Sequence, residues 1–145
     1  MTNRTDGGGA PALDAVLSDL DDALDRLSQL QLWQLPDAGL KSLAAALDRA
    51  RRRSEGQTVR LLGEVDGRGI PGQDGTGTSG AWLRSVAPDL HPREAASLGQ
   101  RAEKLYRSVL SPDLAPTRKA VEAGELRAAQ EKAIVATVEQ VTPPH

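Results

Sequence analysis

Leucine stands at positions 13, 17, 20, 24 and 27, in alternating steps of four and three, within PALDAVLSDLDDALDRLSQLQLWQL. That spacing lines one stripe of an α-helix. Val16, Ala23 and Leu30 lie beside the stripe, and Asp14, Asp21, Asp22 and Asp25 lie mostly off it. Two arrangements satisfy such a stripe. It can dock on the chain's own core, or it can meet a partner in a coiled-coil-like contact of about three heptads before Gln31 interrupts it. The concrete form of the second is a homodimer through Leu13, Leu17, Leu20, Leu24 and Leu27.

The rest of the chain obeys the same period. Phenylalanine is absent, Trp33, Trp82 and Tyr106 are the whole aromatic set, and the apolar residues are mostly alanine and leucine. Sheets favour β-branched and aromatic residues, whereas these side chains suit close-packed helices. No alternating apolar–polar run is long enough for a strand. The expectation is an all-α fold of about six helices in one domain over 11–145, behind a flexible tail over 1–10. A long helical hairpin covers 11–65, a Gly-rich loop covers 66–80, and a helix-turn-helix-like bundle covers 81–141.

Within the hairpin, PDAGLKSLAAALDRARRRSEGQTVRLLGEVDGRG reads as a helix over 37–65, opened by Pro36 and Asp37. Leu40, Leu43, Leu47, Ala50, Ser54, Leu61 and Val65 mark its buried side, and Gly56 suggests a kink near 54–57. The six glycines and one proline of 66–80 argue against regular structure there. Helical stretches follow over 79–87, 92–110, 116–124 and 125–141. The last carries Ala129, Ala133, Ile134, Val138 and Val141 on one face.

Composition excludes several chemistries. With no cysteine, disulfides, zinc–cysteine sites and cysteine catalysis are ruled out. The first residues lack the apolar core of a signal peptide, and no run of about 18 apolar residues suggests a membrane span. A cytoplasmic protein is expected. The histidines are His91 and His145 and the asparagine is Asn3, so no catalytic triad assembles. Asp89 and His91 find no further ligands at helical spacing to complete a metal site. HPRE instead places His91 at a helix cap, Pro92 at the first position and Glu94 at the third. No catalytic residue, metal, cofactor, small-molecule substrate or membrane contact is expected.

Gly75, Gly77 and Gly80 spell G-x-G-x-x-G. A dinucleotide-binding turn needs a strand before the first glycine and an acidic residue about 20 positions on, after a second strand. RGIPGQD cannot be that strand, so the glycines end a linker and Thr78 or Ser79 caps the helix holding Trp82. That short helix carries Ala81, Trp82, Leu83 and Val86. A proline-containing turn and a longer helix follow, in helix-turn-helix order. In the longer helix Ala95, Leu98, Ala102, Leu105 and Val109 form the packing face. Arg93, Ser97, Gln100, Arg101 and Lys104 point elsewhere and can bond bases or phosphates. Upstream, Arg51, Arg52 and Arg53 form either a solvated helix face or a second phosphate patch. Charge permits either reading. Residues 1–40 carry two arginines against seven aspartates, and the remainder carries 16 basic and 13 acidic groups.

The ordered blocks LDRARRRSEGQTVRLLGEVDGRG, TSGAWLRSVAPDLHPREAASLGQRAEKL and LAPTRKAVEAGEL resemble the 13E12 repeat family of actinobacteria, a domain of unknown function (DUF 222). The resemblance covers about residues 35–141. It implies a helical domain of the kind often followed by an HNH endonuclease module, which performs metal-assisted phosphodiester cleavage. The AWLR, PREA and AGEL blocks are also similar to the helix-turn-helix region of ParB-type partition proteins, which bind DNA. The chain departs from the family at several points. The histidines and asparagine of an HNH module are missing, as in a truncated product, and the turn APDLH is slightly longer. Arg127 falls where a capping serine is common, and Glu131 where a small or apolar residue is common. The leading expectation is a non-catalytic helical module that binds or positions double-stranded DNA. It would use Arg93, Ser97, Gln100, Arg101 and Lys104, with Arg51, Arg52 and Arg53 as a secondary patch. The alternatives are a protein-interaction or self-associating helical domain, and an inactive family remnant.

Overall fold

Alanine and leucine at helical spacing, with Pro71, Pro92 and Pro116 in first turns where a missing N–H costs nothing, give a helical chain. The computed structural model describes residues 9–107 and 111–141. Among these it has no strand and seven α-helices: α1 (Gly9–Ser28), α2 (Asp37–Gly67), α3 (Ile70–Gln73), α4 (Ser79–Val86), α5 (Pro92–Ala102), α6 (Ala115–Glu122) and α7 (Ala128–Val141). Short 3-10 turns stand at Leu32–Gln34 and Ser111–Leu114, and a π turn at Glu103–Arg107 follows α5. The chain divides into two compact units, Met1–Leu43 and Ala44–His145, where the sequence suggests one domain. The tail expected over 1–10 already enters α1 at Gly9, and its remainder lies outside the described residues.

In the first unit, both helices expected in the hairpin begin, but α1 gives up no side chain to burial. Leu13, Val16, Leu17, Leu20 and Leu24 are 49% to 63% exposed, and Leu27 is half-buried. Within the first unit, no residue of α1 is buried.

The second unit has the core: Val59, Leu62, Leu83, Leu98, Ala102, Leu105, Leu114, Val121 and Val135, with Trp82, Tyr106 and Val138 packed partly buried against it. Two helix faces differ from expectation. On α2 the buried residues are Gly56, Val59, Leu62, Gly63 and Val65, whereas Leu40, Leu47 and Leu61 are exposed. The reason is steric. A Cβ built on Gly56 would lie 2.2 Å from the Val121 carbonyl oxygen, and one on Gly63 would lie 2.8 Å from the Tyr106 ring. Gly56 is thus a contact surface, and α2 runs unbroken through it. On α7 the buried residues are Glu131 and Val135, and Val141 is exposed.

The glycine-rich stretch is a correction too. It contains α3, because Gly69, Gly75 and Gly77 take positive φ and punctuate the chain instead of dissolving it. The N–H groups of Thr76 and Gly77 both donate to the Pro71 carbonyl, at 2.9 and 3.0 Å.

The π turn brings Leu105 into the core and turns Tyr106 toward α6. Arg118 donates to the Leu105 carbonyl at 2.8 Å and lies 5.5 Å from the Tyr106 ring centre. The Tyr106 hydroxyl donates to the Glu122 carboxylate. Val109, expected on the same packing face, lies outside the described residues.

Replacing Gly56 by alanine should destabilise the fold by about 1–3 kcal/mol through overpacking. Gly72→Ala, whose Cβ meets nothing within 4 Å, should leave the thermal midpoint unchanged in the same calorimetric comparison. Tyr106 is the chain's one tyrosine. Burial first, and then the Glu122 carboxylate, push its phenol well above the ordinary value. A raised folded value means that this group's contribution to stability is complete below the ordinary ionisation near ~10 and fades as pH climbs toward the folded value. Absorbance titration should show delayed phenolate formation in the native chain and ordinary ionisation in denaturant.

Candidate nucleic-acid interface

The candidate surface rests on two capped helices that approach closely. Thr78 takes an extended backbone at the N-terminus of α4, and its hydroxyl accepts from the Ala81 N–H at 3.1 Å. His91 does the same for α5, Nδ1 accepting from the Arg93 N–H at 3.0 Å, with Pro92 in the first turn. Between the caps, Arg84 donates to the Leu90 carbonyl at 3.1 Å and ties α4 to the turn. A Cβ on Gly80 would lie 2.8 Å from the Ala95 carbonyl oxygen, and one on Gly99 would lie 3.0 Å from the Gly80 nitrogen. Glycine at both positions lets the two backbones touch. The α5 residues Ala95, Leu98 and Ala102 turn inward.

The opposite side of α5 carries Arg93, Ser97 and Gln100 at i, i+4 and i+7, which is one helical face. All three are exposed, and among the described residues their side chains make no hydrogen bond or ion pair. Further along, Ser97, Gln100 and Lys104 form one wall of a groove of about 320 Å³ whose other wall includes Lys132, Ala136 and Glu139 of α7. Arg93, in the N-terminal turn of α5, is thus clear of the groove, and exposed Ser97 and Gln100 stand at its rim. The N-terminal part is the one with which recognition helices meet base edges.

Arg101 corrects the expected contact set. Its side chain is only 13% exposed and belongs to an ion-pair network inside the second unit. Nε donates to both Glu131 oxygens at 3.0 Å, Nη2 to Glu131 at 2.6 Å, and Nη1 to Glu55 at 2.6 Å. Burial opposes the guanidinium charge, but the two carboxylates outweigh it and hold Arg101 above its ordinary value. Its donors are committed to protein carboxylates, so it cannot serve DNA without breaking the network. Lys104 is half-exposed and pairs with Glu139 at 2.6 Å, so it too differs from the freely presented cation that its sequence position suggests.

The arginine run is also divided. Arg52 pairs with Asp48 and donates to the Gly124 carbonyl at 2.9 Å, so it anchors the turn after α6. Gly124 takes φ +76, and a Cβ there would lie 2.5 Å from Arg53 Cγ, which explains the glycine of AGEL. Arg51 is exposed and pairs with Asp48 at 3.1 Å and Glu55 at 3.7 Å. Hydrogen bonding from Arg51 holds the Asp48 carboxyl below the usual range. Arg53 is exposed.

No protein family, curated protein or solved structure matches the chain. Its chemistry stands on its own residues. Among the described residues no group of three or more His, Cys, Asp or Glu side chains could hold a metal ion. No helix there is long and apolar enough to cross a membrane.

Glu55 and Glu131 are the residues that sequence reasoning missed. The only signal was the position of Glu131 among the small and apolar residues of its helix. Its neighbour Gln130 reaches back to the start of α7, its side-chain oxygen accepting from the Arg127 N–H at 2.9 Å.

Arg101→Ala should cost about 3–5 kcal/mol, because it leaves Glu131 charged, buried and without its main partner. Urea unfolding monitored by circular dichroism measures this. Arg93→Ala, on the open face, should leave the transition unmoved.

Proposed function

We propose that this chain is a non-catalytic helical module that seats its α4–α5 pair on double-stranded DNA, with α5 toward the major groove. The observation that carries the reading is the exposed, unpartnered row Arg93, Ser97 and Gln100 on a helix braced by α4 through direct backbone contact. Arginine can bond guanine edges or phosphates, and glutamine can bond adenine. A brace without side chains in the way fixes their direction. The resemblance of the ordered blocks to the 13E12 repeat family supports the same reading and suggests a role beside an HNH nuclease. The contact set proposed is Arg93, Ser97 and Gln100, with exposed Arg53 available to phosphates and Arg51 at most peripheral, because Asp48 and Glu55 compete for it. Arg101 and Arg52 are excluded by their internal bonds, and Lys104 is at most a peripheral contact because Glu139 competes for it.

Fluorescence anisotropy with a labelled random-sequence duplex tests this. Binding should be detectable at about 50 mM salt and should fall steeply as salt rises, since counterion release accompanies each phosphate contact. Arg93→Ala should weaken it about 5- to 10-fold and, where the contact is to phosphate, lower the salt slope by about one. No binding at the low-salt condition, with helicity intact, overturns the reading.

A further inference from the structure

Opposite ends of two helices meet at one cleft of the second unit. Ser79 and Gly80 open α4, and a helix N-terminus is the positive end of its dipole. Asp66 stands in the last turn of α2, at the negative end of that helix. With Gly99 and Gln100 of α5 and with Glu103 and Arg107 of the π turn, they line a cleft of about 450 Å³.

The polar groups around this cleft are idle. Ser79 is only 4% exposed, yet among the described residues its hydroxyl has no hydrogen-bond partner. Its Oγ stands 3.2 Å, and the Gly80 nitrogen 3.0 Å, from the point where a Gly99 Cβ would lie. Both therefore converge on the floor that glycine leaves open. The N–H groups of Ser79 and Gly80 find no acceptor either, because the Thr78 hydroxyl is taken by Ala81. A buried hydroxyl left unbonded carries a desolvation cost that a ligand can remove. Asp66, Glu103 and Arg107 border the same cleft and, among the described residues, form no ion pair.

We propose that the cleft binds a small zwitterion of the α-amino-acid class. Its carboxylate lies at the N-terminus of α4, on the Ser79 hydroxyl and the Ser79 and Gly80 N–H groups, as anions do at helix starts. Its ammonium lies toward Asp66 and Glu103. The mixture of signs decides the class. A lone anion would be repelled by the two carboxylates, and a lone cation by Arg107 and the positive end of α4. A ligand with both charges gains from both.

Amide-resolved NMR of the full chain, titrated to millimolar concentration with each common L-amino acid in turn, tests this. At least one should shift the Ser79 and Gly80 signals to saturation. Its N-acetyl derivative, which lacks the ammonium, and its amide derivative, which lacks the carboxylate, should each bind roughly tenfold more weakly. Asp66→Asn with Glu103→Gln should weaken the amino acid by about the same factor and leave the N-acetyl derivative no weaker. Ser79→Ala should weaken binding without lowering the thermal midpoint, since it removes a buried group that has no partner. No amino acid shifting these two signals overturns the proposal. So do derivatives that bind as well as their parent, or a Ser79→Ala chain that binds as the wild type does.

Discussion

The second unit turns on one guanidinium. Arg101, from α5, draws the partly exposed Glu55 of α2 and the buried Glu131 of α7 to a single point. Gln100, Lys104 and Lys132 line the same groove as Arg101 and Glu131. Without Arg101, the buried Glu131 would carry a desolvation penalty of several kcal/mol. Together the two ion pairs tie three helices to one side chain. Arg101 thus links α5 to α2 and α7, while Ala95, Leu98 and Ala102 face the core and Arg93 looks outward.

Much of this organisation is local in sequence and was accordingly legible. The caps at Thr78 and His91, the proline starts and the period of α5 are short-range signals, and they appear where the spacing places them. Two long-range facts were not legible. Gly56 and Gly63 carry no hydropathy, so a search for apolar stripes passes over the residues that sit deepest against α6 and Tyr106 and selects Leu47 and Leu61 instead. Glu131 reads as a solvent residue until the arginine thirty positions upstream is seen beside it. The candidate site suffered most from the second omission. Arg101 looks identical to Arg93 in sequence, and only the fold shows that one is spent on the protein itself.

The two units divide the chemistry of the chain. The first is acidic, and α1 has no buried residue. The second holds the core, most of the arginines and the braced α4–α5 pair. Of those arginines, several are internal fasteners: Arg52 on the Gly124 carbonyl, Arg84 on Leu90, Arg118 on Leu105. A guanidinium with several donors suits this work, since loops and the π turn leave carbonyls that no helix satisfies. Counting basic residues therefore overstates the positive surface that the fold offers.

The glycine contacts on α2, α4 and α5 have a thermal consequence. Where helices meet backbone to backbone, dispersion contacts are dense but little hydrocarbon is withdrawn from water. The largest fully buried side chains are leucines and valines, with no aromatic among them. The heat-capacity increment of unfolding follows the apolar area exposed. A core assembled in this way should have a small increment for its length and a flat stability curve. Such a protein loses little stability on cooling, and what resistance it has to heat is spread over a wide range of temperature.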